Sequence, residues 1–328
     1  ITFNILLRGW CDVGDMKMAY KILKSMIDIG YEPNVRTWTT ILHGLCQQSA
    51  MSDAMHLVET MSAKSDAKPD VVTFTTLVRG WCKRGDMEMA TKVFDLASKM
   101  NVVPNDRSYN TLIRGWCEKG CEDRAIEVME RMKAAGVRPD VVTLNTLIRS
   151  YCKDRNMRAA MSLLETMRRT GLRPDARTYN TLIQGWIELK NMIRAMDLFK
   201  KMKRFQDKRV RPTIVTYTLL ISGWARSMGR MDMAEKVMQD LMNDPDVSPD
   251  SRTFHALIRG YLYSRGDRQY RSERMYFWLC KMRDSNLQPN HHTVKHFHKM
   301  NLYFPAVDEP FWTTDFGMPF DPRRHGRR

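Results

Sequence analysis

Side chains able to form directed hydrogen bonds recur along this 328-residue chain at a nearly fixed interval and do not gather at one place. Asn4, Thr39, Thr75, Asn110, Asn145, Asn180, Thr218 and His255 form one series, and Asn34, Asp70, Asn105, Asp140, Asp175, Thr213, Asp250 and Asn290 form a second. Nearly all are short and polar, and their amides, hydroxyls and carboxylates offer donors and acceptors to a ligand edge. A third series lies four residues after the first: Arg8, His43, Arg79, Arg114, Arg149, Gln184, Ser222 and Arg259. A step of four keeps both series on one helical face, so five arginines stand in register beside the short polar residues.

Signatures of covalent or metal chemistry are missing from the sequence. It has no P-loop, no GxSxG elbow and no HxE with CxxC deaminase pattern. No acidic cluster sits outside the recurring segments. His291, His292, His296 and His298 include i, i+4 spacing but have no Cys or carboxylate nearby, so they are expected to be exposed helical histidines, with no metal and no cofactor. Five of the seven cysteines (Cys11, Cys46, Cys82, Cys117 and Cys152) are spaced 35, 36, 35 and 35 residues apart. Positions one repeat apart do not face each other, so no disulfide pairing is expected among them, and a reducing compartment fits.

Lys and Arg number 53 against 37 for Asp and Glu, a formal net charge of +16 spread along the chain. A polyanion or anionic surface is the natural partner. No stretch approaches the roughly 18 apolar residues of a bilayer span, so a soluble chain with no membrane partner is expected. Ile1 stands without a preceding Met and part-way into a repeat, as expected of a processed or trimmed product whose targeting segment lies elsewhere.

The elements that position these series follow from self-similarity. TFNILLRGWC at Thr2, TWTTILHGLC at Thr37, TFTTLVRGWC at Thr73, SYNTLIRGWC at Ser108 and TLNTLIRSYC at Thr143 align. TYNTLIQGWI at Thr178, TYTLLISGWA at Thr216 and TFHALIRGYL at Thr253 complete eight copies. The leading Thr or Ser is expected to be the N-cap of a first helix. Tyr109, Leu112, Ile113 and Trp116 form an apolar stripe at i, i+3, i+4 and i+7. Gly9, Gly44, Gly80, Gly115, Gly185, Gly223 and Gly260 suit a close helix approach, and Gly14, Gly85 and Gly120 suit left-handed caps. A second helix carries Ala125, Val128, Met129 and Met132, with Ala160, Leu163, Leu164 and Met167 in the next copy. Pro33, Pro69, Pro104, Pro139, Pro174, Pro212, Pro249 and Pro289 then punctuate the array. Met and Trp on the stripes are core residues. Two amphipathic helices cannot bury both stripes alone, so neighbouring units must stack. Surface excursions are expected at residues 204–209, 226–231 and 264–274.

Units such as VVTLNTLIRSYCKDRNMRAAMSLLETMRRTGLRPD (Val141 to Asp175) resemble pentatricopeptide repeats, through the T-Y-N-T-L-I-x-G start, the Cys late in the first helix and the G-x-x-P-D close. The resemblance covers about nine tenths of the chain. It implies an all-α, right-handed superhelical α-solenoid of helix-turn-helix repeats. The implied units are 1–34, 35–70, 71–105, 106–140, 141–175, 176–213, 214–250 and 251–290, then a degenerate capping helix at 291–304 and a basic tail at 305–328.

The resemblance also implies that each member of the first series reads one RNA base together with its partner in the second: Asn4 with Asn34, Thr39 with Asp70, and so on to His255 with Asn290. Thr with Asp then implies G, Thr with Asn implies A, Asn with Asp implies U, and Asn with Asn a pyrimidine. The expected target is 5′-Y-G-A-U-U-Y-G-N-3′. Ile1, Val72, Val142 and Val215 match the family's aliphatic base-sandwiching position, where Arg36, Arg107, Arg177 and Arg252 depart from it. Arg8, His43, Arg79, Arg114, Arg149 and Arg259 are implied to meet the RNA backbone, and Lys83, Lys153 and Arg226 match a phosphate-contacting lysine. The expected function is non-catalytic binding of single-stranded organellar mRNA or rRNA in transcript processing, stability or translation, with no small-molecule substrate. The location expected is mitochondrial, or else plastid. A structural or assembly role on mitochondrial ribosomal RNA is one alternative, and a peptide-binding scaffold is another.

Overall fold

The computed structural model describes residues 2–63, 67–265 and 267–289. Among the described residues there are sixteen α-helices, one π-helical turn and no strand. Hairpins form from α1 (Thr2–Val13) with α2 (Met16–Asp28), α3 (Val35–Gln47) with α4 (Met51–Ala63), and α5 (Val71–Arg84) with α6 (Met87–Lys99). Next come α7 (Asp106–Lys119) with α8 (Glu122–Ala134), α9 (Val141–Lys153) with α10 (Met157–Arg169), and α11 (Ala176–Glu188) followed by α12 (Met192–Arg204). The last are α13 (Ile214–Ser222), extended by the π-helical turn Gly223–Met228, with α14 (Met231–Met242), and α15 (Ser251–Tyr263) with α16 (Arg268–Asp284).

Two compact units divide between Leu182 and Ile183. In the first, α1 packs on α3, α3 on α5, α5 on α7 and α7 on α9, so the first helices stack in chain order. In the second, α13 packs on both α14 and α15, and α15 on α16. The stripes read from the sequence form the core. Leu77 and Val78, Leu112 and Ile113, and Leu147 and Ile148 are buried on successive first helices, and Ala19, Ala54, Ala90, Ala125 and Ala160 are fully buried on the second helices. Each large side chain so buried contributes about 1.5–3 kcal/mol relative to exposure. None of the seven cysteines forms a disulfide. Burial pushes the Cys46 and Cys82 thiols up to about 12, which keeps them in the unreactive thiol form.

The expected N-caps are corrected by three residues. The caps are Asn34, Asp70, Asn105, Asp140 and Asp250, and each takes the backbone amide of the Thr or Ser three residues on. The Thr or Ser is therefore the N3 residue, and in α5 and α9 its hydroxyl returns the contact to complete a capping box. An amide or carboxylate oxygen satisfies an orphan first-turn amide, and the proline preceding each cap holds the chain extended into it.

The glycines in mid-helix mark the stacking contact. A Cβ on Gly115 would lie 2.6 Å from Cys82 Sγ and 2.7 Å from Met87 Cε, and one on Gly260 would lie 2.5 Å from Ala225 Cβ and 2.9 Å from Met231 Sδ. Gly44 meets Met16, Gly80 meets Met51 and Gly223 meets Met192 in the same way. One seam differs: Glu122 replaces the Met that begins the second helix, Ser150 replaces the glycine, and Ser150 Oγ donates to Glu122 Oε1. Gly9 departs from expectation, since nothing among the described residues lies within 4 Å of a Cβ there.

The expected excursions are partly absorbed into helix. Residues 223–228 become the π-helical turn, and α16 begins at Arg268 and runs for 17 residues. The calls on Ile1, Asn290, the 291–298 histidines, the capping helix and the basic tail lie outside the described residues. In the second unit, Glu235 Oε1 accepts from Tyr261 Oη at 2.6 Å, Trp278 Nε1 at 2.7 Å and Arg274 Nη2 at 2.6 Å, joining α14, α15 and α16 through one carboxylate.

Gly260→Ala is expected to destabilise by about 1–3 kcal/mol, because the facing Ala225 Cβ has no rotamer to escape into. Gly9→Ala, in open space, is expected to be neutral or to stabilise by up to about 1 kcal/mol through helix propensity. Equal urea midpoints for the two variants would contradict the close-approach account. Glu235→Ala strands a guanidinium, an indole N–H and a phenol, so a loss of about 3–5 kcal/mol in the same assay is expected.

Candidate nucleic-acid interface

Both polar series converge at the seams between hairpins because the cap that starts one first helix lies beside the preceding first helix. At the seam of α7 with α9, Asp140 Oδ1 takes the Thr143 amide and hydroxyl, each at 2.8 Å, and the Thr143 hydroxyl lies 2.6 Å from Asn110 Oδ1. Asn110 Nδ2 reaches Asp140 Oδ1 at 3.4 Å. The seam after α9 repeats the pattern, with Thr178 Oγ1 2.7 Å from Asn145 Oδ1 and 2.9 Å from Asp175 Oδ1. Asn34 takes the Thr37 amide at 3.0 Å, and Thr37 Oγ1 lies 2.9 Å from Asn4 Oδ1. Where the first series carries Thr, the contact is hydroxyl to hydroxyl: Thr39 with Thr73 at 3.2 Å, Thr75 with Ser108 at 2.7 Å and Thr218 with Thr253 at 2.9 Å.

This geometry leaves defined groups over. Backbone amides fix the cap oxygen, because an N–H cannot point at the NH2 of Asn. A capping Asn therefore keeps Nδ2 as a spare donor, and a capping Asp keeps Oδ2 as a spare acceptor. Burial opposes ionisation of Asp140, but the Thr143 amide and hydroxyl and Asn110 outweigh it and hold its carboxyl below the ordinary value. First-series residues are half-buried, apart from Thr75, which is buried. Burial lowers the His255 pKa from its usual value, against the pull of Asp250, which favours a neutral ring at pH 7.

Cations flank the seams. Arg79 is half-buried with its Nε lacking a hydrogen-bond partner, and burial and then the like charges of Arg107 and Arg114 lower its pKa. Three guanidinium groups that repel one another form a ready anion site. Arg8 and Arg114 are held in exposed i, i+4 pairs with Asp12 at 3.7 Å and Glu118 at 3.8 Å, contacts of the kind worth little in water. His43 lies 3.4 Å from Gln47. Arg149, Lys83, Lys153 and Arg226 are exposed and make no ion pair among the described residues. Arg259 lies over the Tyr263 ring at 5.9 Å.

Two residues beyond each cap the chain alternates strictly. Val72, Val142 and Val215 are 60%, 59% and 53% exposed, unusual for valine, and Arg36, Arg107, Arg177 and Arg252 are exposed at the same register in the intervening hairpins. Thr213 is the weak member of the second series, its hydroxyl 3.4 Å from that of Thr216. Asn180 stands on α11 in the first unit and its sequence partner Thr213 heads α13 in the second. The residues whose part was missed are the N3 Thr and Ser side chains. The repeated Asp-x-x-Thr and Asn-x-x-Thr spacing is the signal that marks them as half of a capping box.

A family model described as the PPR repeat family matches seven overlapping stretches: residues 1–47, 33–80, 69–118, 106–144, 139–187, 177–226 and 212–262. The mitochondrial pentatricopeptide repeat-containing protein At2g13420 of Arabidopsis thaliana is 40% identical over 50 residues, 15% of this chain and 10% of that protein. The pentatricopeptide repeat-containing protein At1g26500 of the same plant is 26% identical over 95 residues, 29% of this chain and 19% of that protein. Among solved structures, the pentatricopeptide repeat protein PPR10 in complex with an 18-nt psaJ RNA element is similar in fold, with a TM-score of 0.64 at 23% identity. That likeness covers 92% of this chain but 43% of PPR10, so the chain spans less than half the length of that relative. The seven matches, the all-helical hairpins and the stacked first helices give one conclusion: the chain belongs to the PPR repeat family, an all-α solenoid.

Proposed function

We propose that this chain binds single-stranded RNA at its seams, one nucleotide per hairpin, without chemistry of its own. The carrying observation is the group each cap leaves over. Set against the ring-nitrogen position of a base, spare Oδ2 on Asp70, Asp140, Asp175 and Asp250 favours a ring N–H, which guanine and uracil carry. At the same position, spare Nδ2 on Asn34 and Asn105 favours a bare ring nitrogen, which adenine and cytosine carry. The first series supplies size: Thr39, Thr75 and Thr218 are shorter than Asn4, Asn110 and Asn145 and leave room for a purine. Together these rules give pyrimidine, G, A, U, U, an unselective place at Asn180 and Thr213, G, and a last place at His255. The base order implied by the family resemblance agrees except at the sixth place, where it has a pyrimidine.

Exposed Val72, Val142 and Val215 suit a base face, and the Arg79, Arg107 and Arg114 cluster suits phosphate. Occupying one transcript in an organelle, to protect it or to govern its processing or translation, is the role this chemistry serves best. A mitochondrial site rests on likeness to a relative named as mitochondrial. The second reading, a component or assembly factor on mitochondrial ribosomal RNA, is favoured by the arginines that alternate with valine, since arginine grips backbone regardless of sequence. Co-sedimentation with a ribosomal subunit at high salt would favour the second, and a free or messenger-bound pool the first.

Asn105→Asp keeps the cap but exchanges donor for acceptor, so the preferred third nucleotide is expected to change from A to G. The ratio of affinities should move about ten- to a hundredfold, as one mismatched polar group of about 1–3 kcal/mol requires. An unchanged preference in a binding selection would sink the proposed pairing. Replacing Arg79, Arg107 and Arg114 by Gln together is expected to flatten the salt dependence by roughly 0.7 log units per lost phosphate contact, about 2 in all, without altering base preference. A constant slope would remove these arginines from the phosphate path.

A further inference from the structure

At each seam one group belongs to neither polar series. Thr143 and Thr178 are fully buried, yet their hydroxyls touch both members of the polar pair ahead of them. A hydroxyl has one proton, and here two acceptor oxygens lie within 2.8 Å of it. Asp140 Oδ1 is already served by the Thr143 amide at 2.8 Å and approached by Asn110 Nδ2 at 3.4 Å. Among the described residues, Asn110 Oδ1 has the Thr143 hydroxyl alone as donor, at the shorter distance of 2.6 Å. A proton placed there turns the carbonyl of Asn110 inward and leaves its NH2 beside the Asp140 carboxylate, so that a donor stands next to an acceptor. Uracil, with a carbonyl oxygen beside N3–H, complements that order. Cytosine, with N3 beside an exocyclic NH2, reverses it.

Resting on the RNA-binding proposal, we infer that Thr143 and Thr178 are positioning residues that fix the side-chain amide of Asn110 and Asn145, so that one hairpin's choice of uracil over cytosine is set by a buried hydroxyl of the next. The Thr-bearing seams show the contrast. Thr39 with Thr73, Thr75 with Ser108 and Thr218 with Thr253 are hydroxyl pairs whose first members also reach the backbone carbonyl four residues back, at 2.7, 2.6 and 2.8 Å, so no side-chain amide is there to be oriented.

The test measures binding of oligoribonucleotides with the order given above, carrying U or C either opposite Asn110–Asp140 or opposite Asn145–Asp175. The wild-type chain is expected to prefer U at both. Thr143→Val removes the hydroxyl at nearly constant shape and is expected to lower the U-to-C affinity ratio roughly tenfold at the first nucleotide, as one lost hydrogen bond implies, and to spare the second. Thr143→Ser, the residue that Ser108 already provides one hairpin earlier, should restore the ratio. Thr178→Val should give the mirror result, and it carries the test alone if circular dichroism shows Thr143→Val unfolded. A Val variant that binds and keeps its wild-type ratio overturns the inference, as does an equal fall at both nucleotides or a lowered melting temperature with both ratios intact. A wild-type chain that binds RNA without preferring U at either place overturns the base-reading proposal itself.

Discussion

A helix cannot start without partners for its first amides, and for the first helices α3, α5, α7, α9, α11 and α15 the partner is borrowed from the end of the preceding repeat. Asp140 or Asn105, one residue after a proline, turns a side-chain oxygen onto the amide three residues ahead, and the first helix begins at that point. That bond fixes where the hairpin begins and brings the end of one repeat against the first helix before it. It also decides which polar atom is left facing a ligand. On the RNA-binding proposal, stability and recognition share one side chain, with one oxygen for the fold and one atom for the partner.

Stacking supplies the second constraint. In five hairpins a methionine that opens the second helix meets a glycine on the next first helix: Met16 and Gly44, Met51 and Gly80, Met87 and Gly115, Met192 and Gly223, and Met231 and Gly260. At the Gly80, Gly115 and Gly260 seams, overlap of side chain with bare backbone accompanies seam hydroxyls that touch at 3.2, 2.7 and 2.9 Å.

Much of this was legible in the sequence because it repeats. Eight aligned starts revealed the helices, the stripes and the phase of the polar series, and the structure buries Leu112, Ile113 and Trp116 as the stripe required. The capping step was misplaced because Thr is itself a good cap, and only the geometry shows Asp140 taking that place with Thr143 inside the helix. Left-handed turn residues were legible at Gly14, Gly85 and Gly120 but not at Ser49, Arg155 and Lys190, which adopt φ near 60° because the hairpin imposes the turn whatever residue occupies it. The extra residues near Arg226 looked like a loop, because a π-helical turn that swallows an insertion keeps the same composition as the helix around it.

The Glu122 and Ser150 seam bears on how such an array can change by duplication and exchange. Most hairpins present methionine behind and glycine ahead, so one could be copied, deleted or moved and still meet a compatible neighbour. The hairpin of α7 and α8 and the one that follows it are matched only to each other. Moved apart, Glu122 would face a glycine with no hydroxyl to answer it, and the Ser150 side chain would press against a methionine sulfur. These two repeats therefore fit each other as a complementary pair, where five other seams share one contact of methionine on glycine.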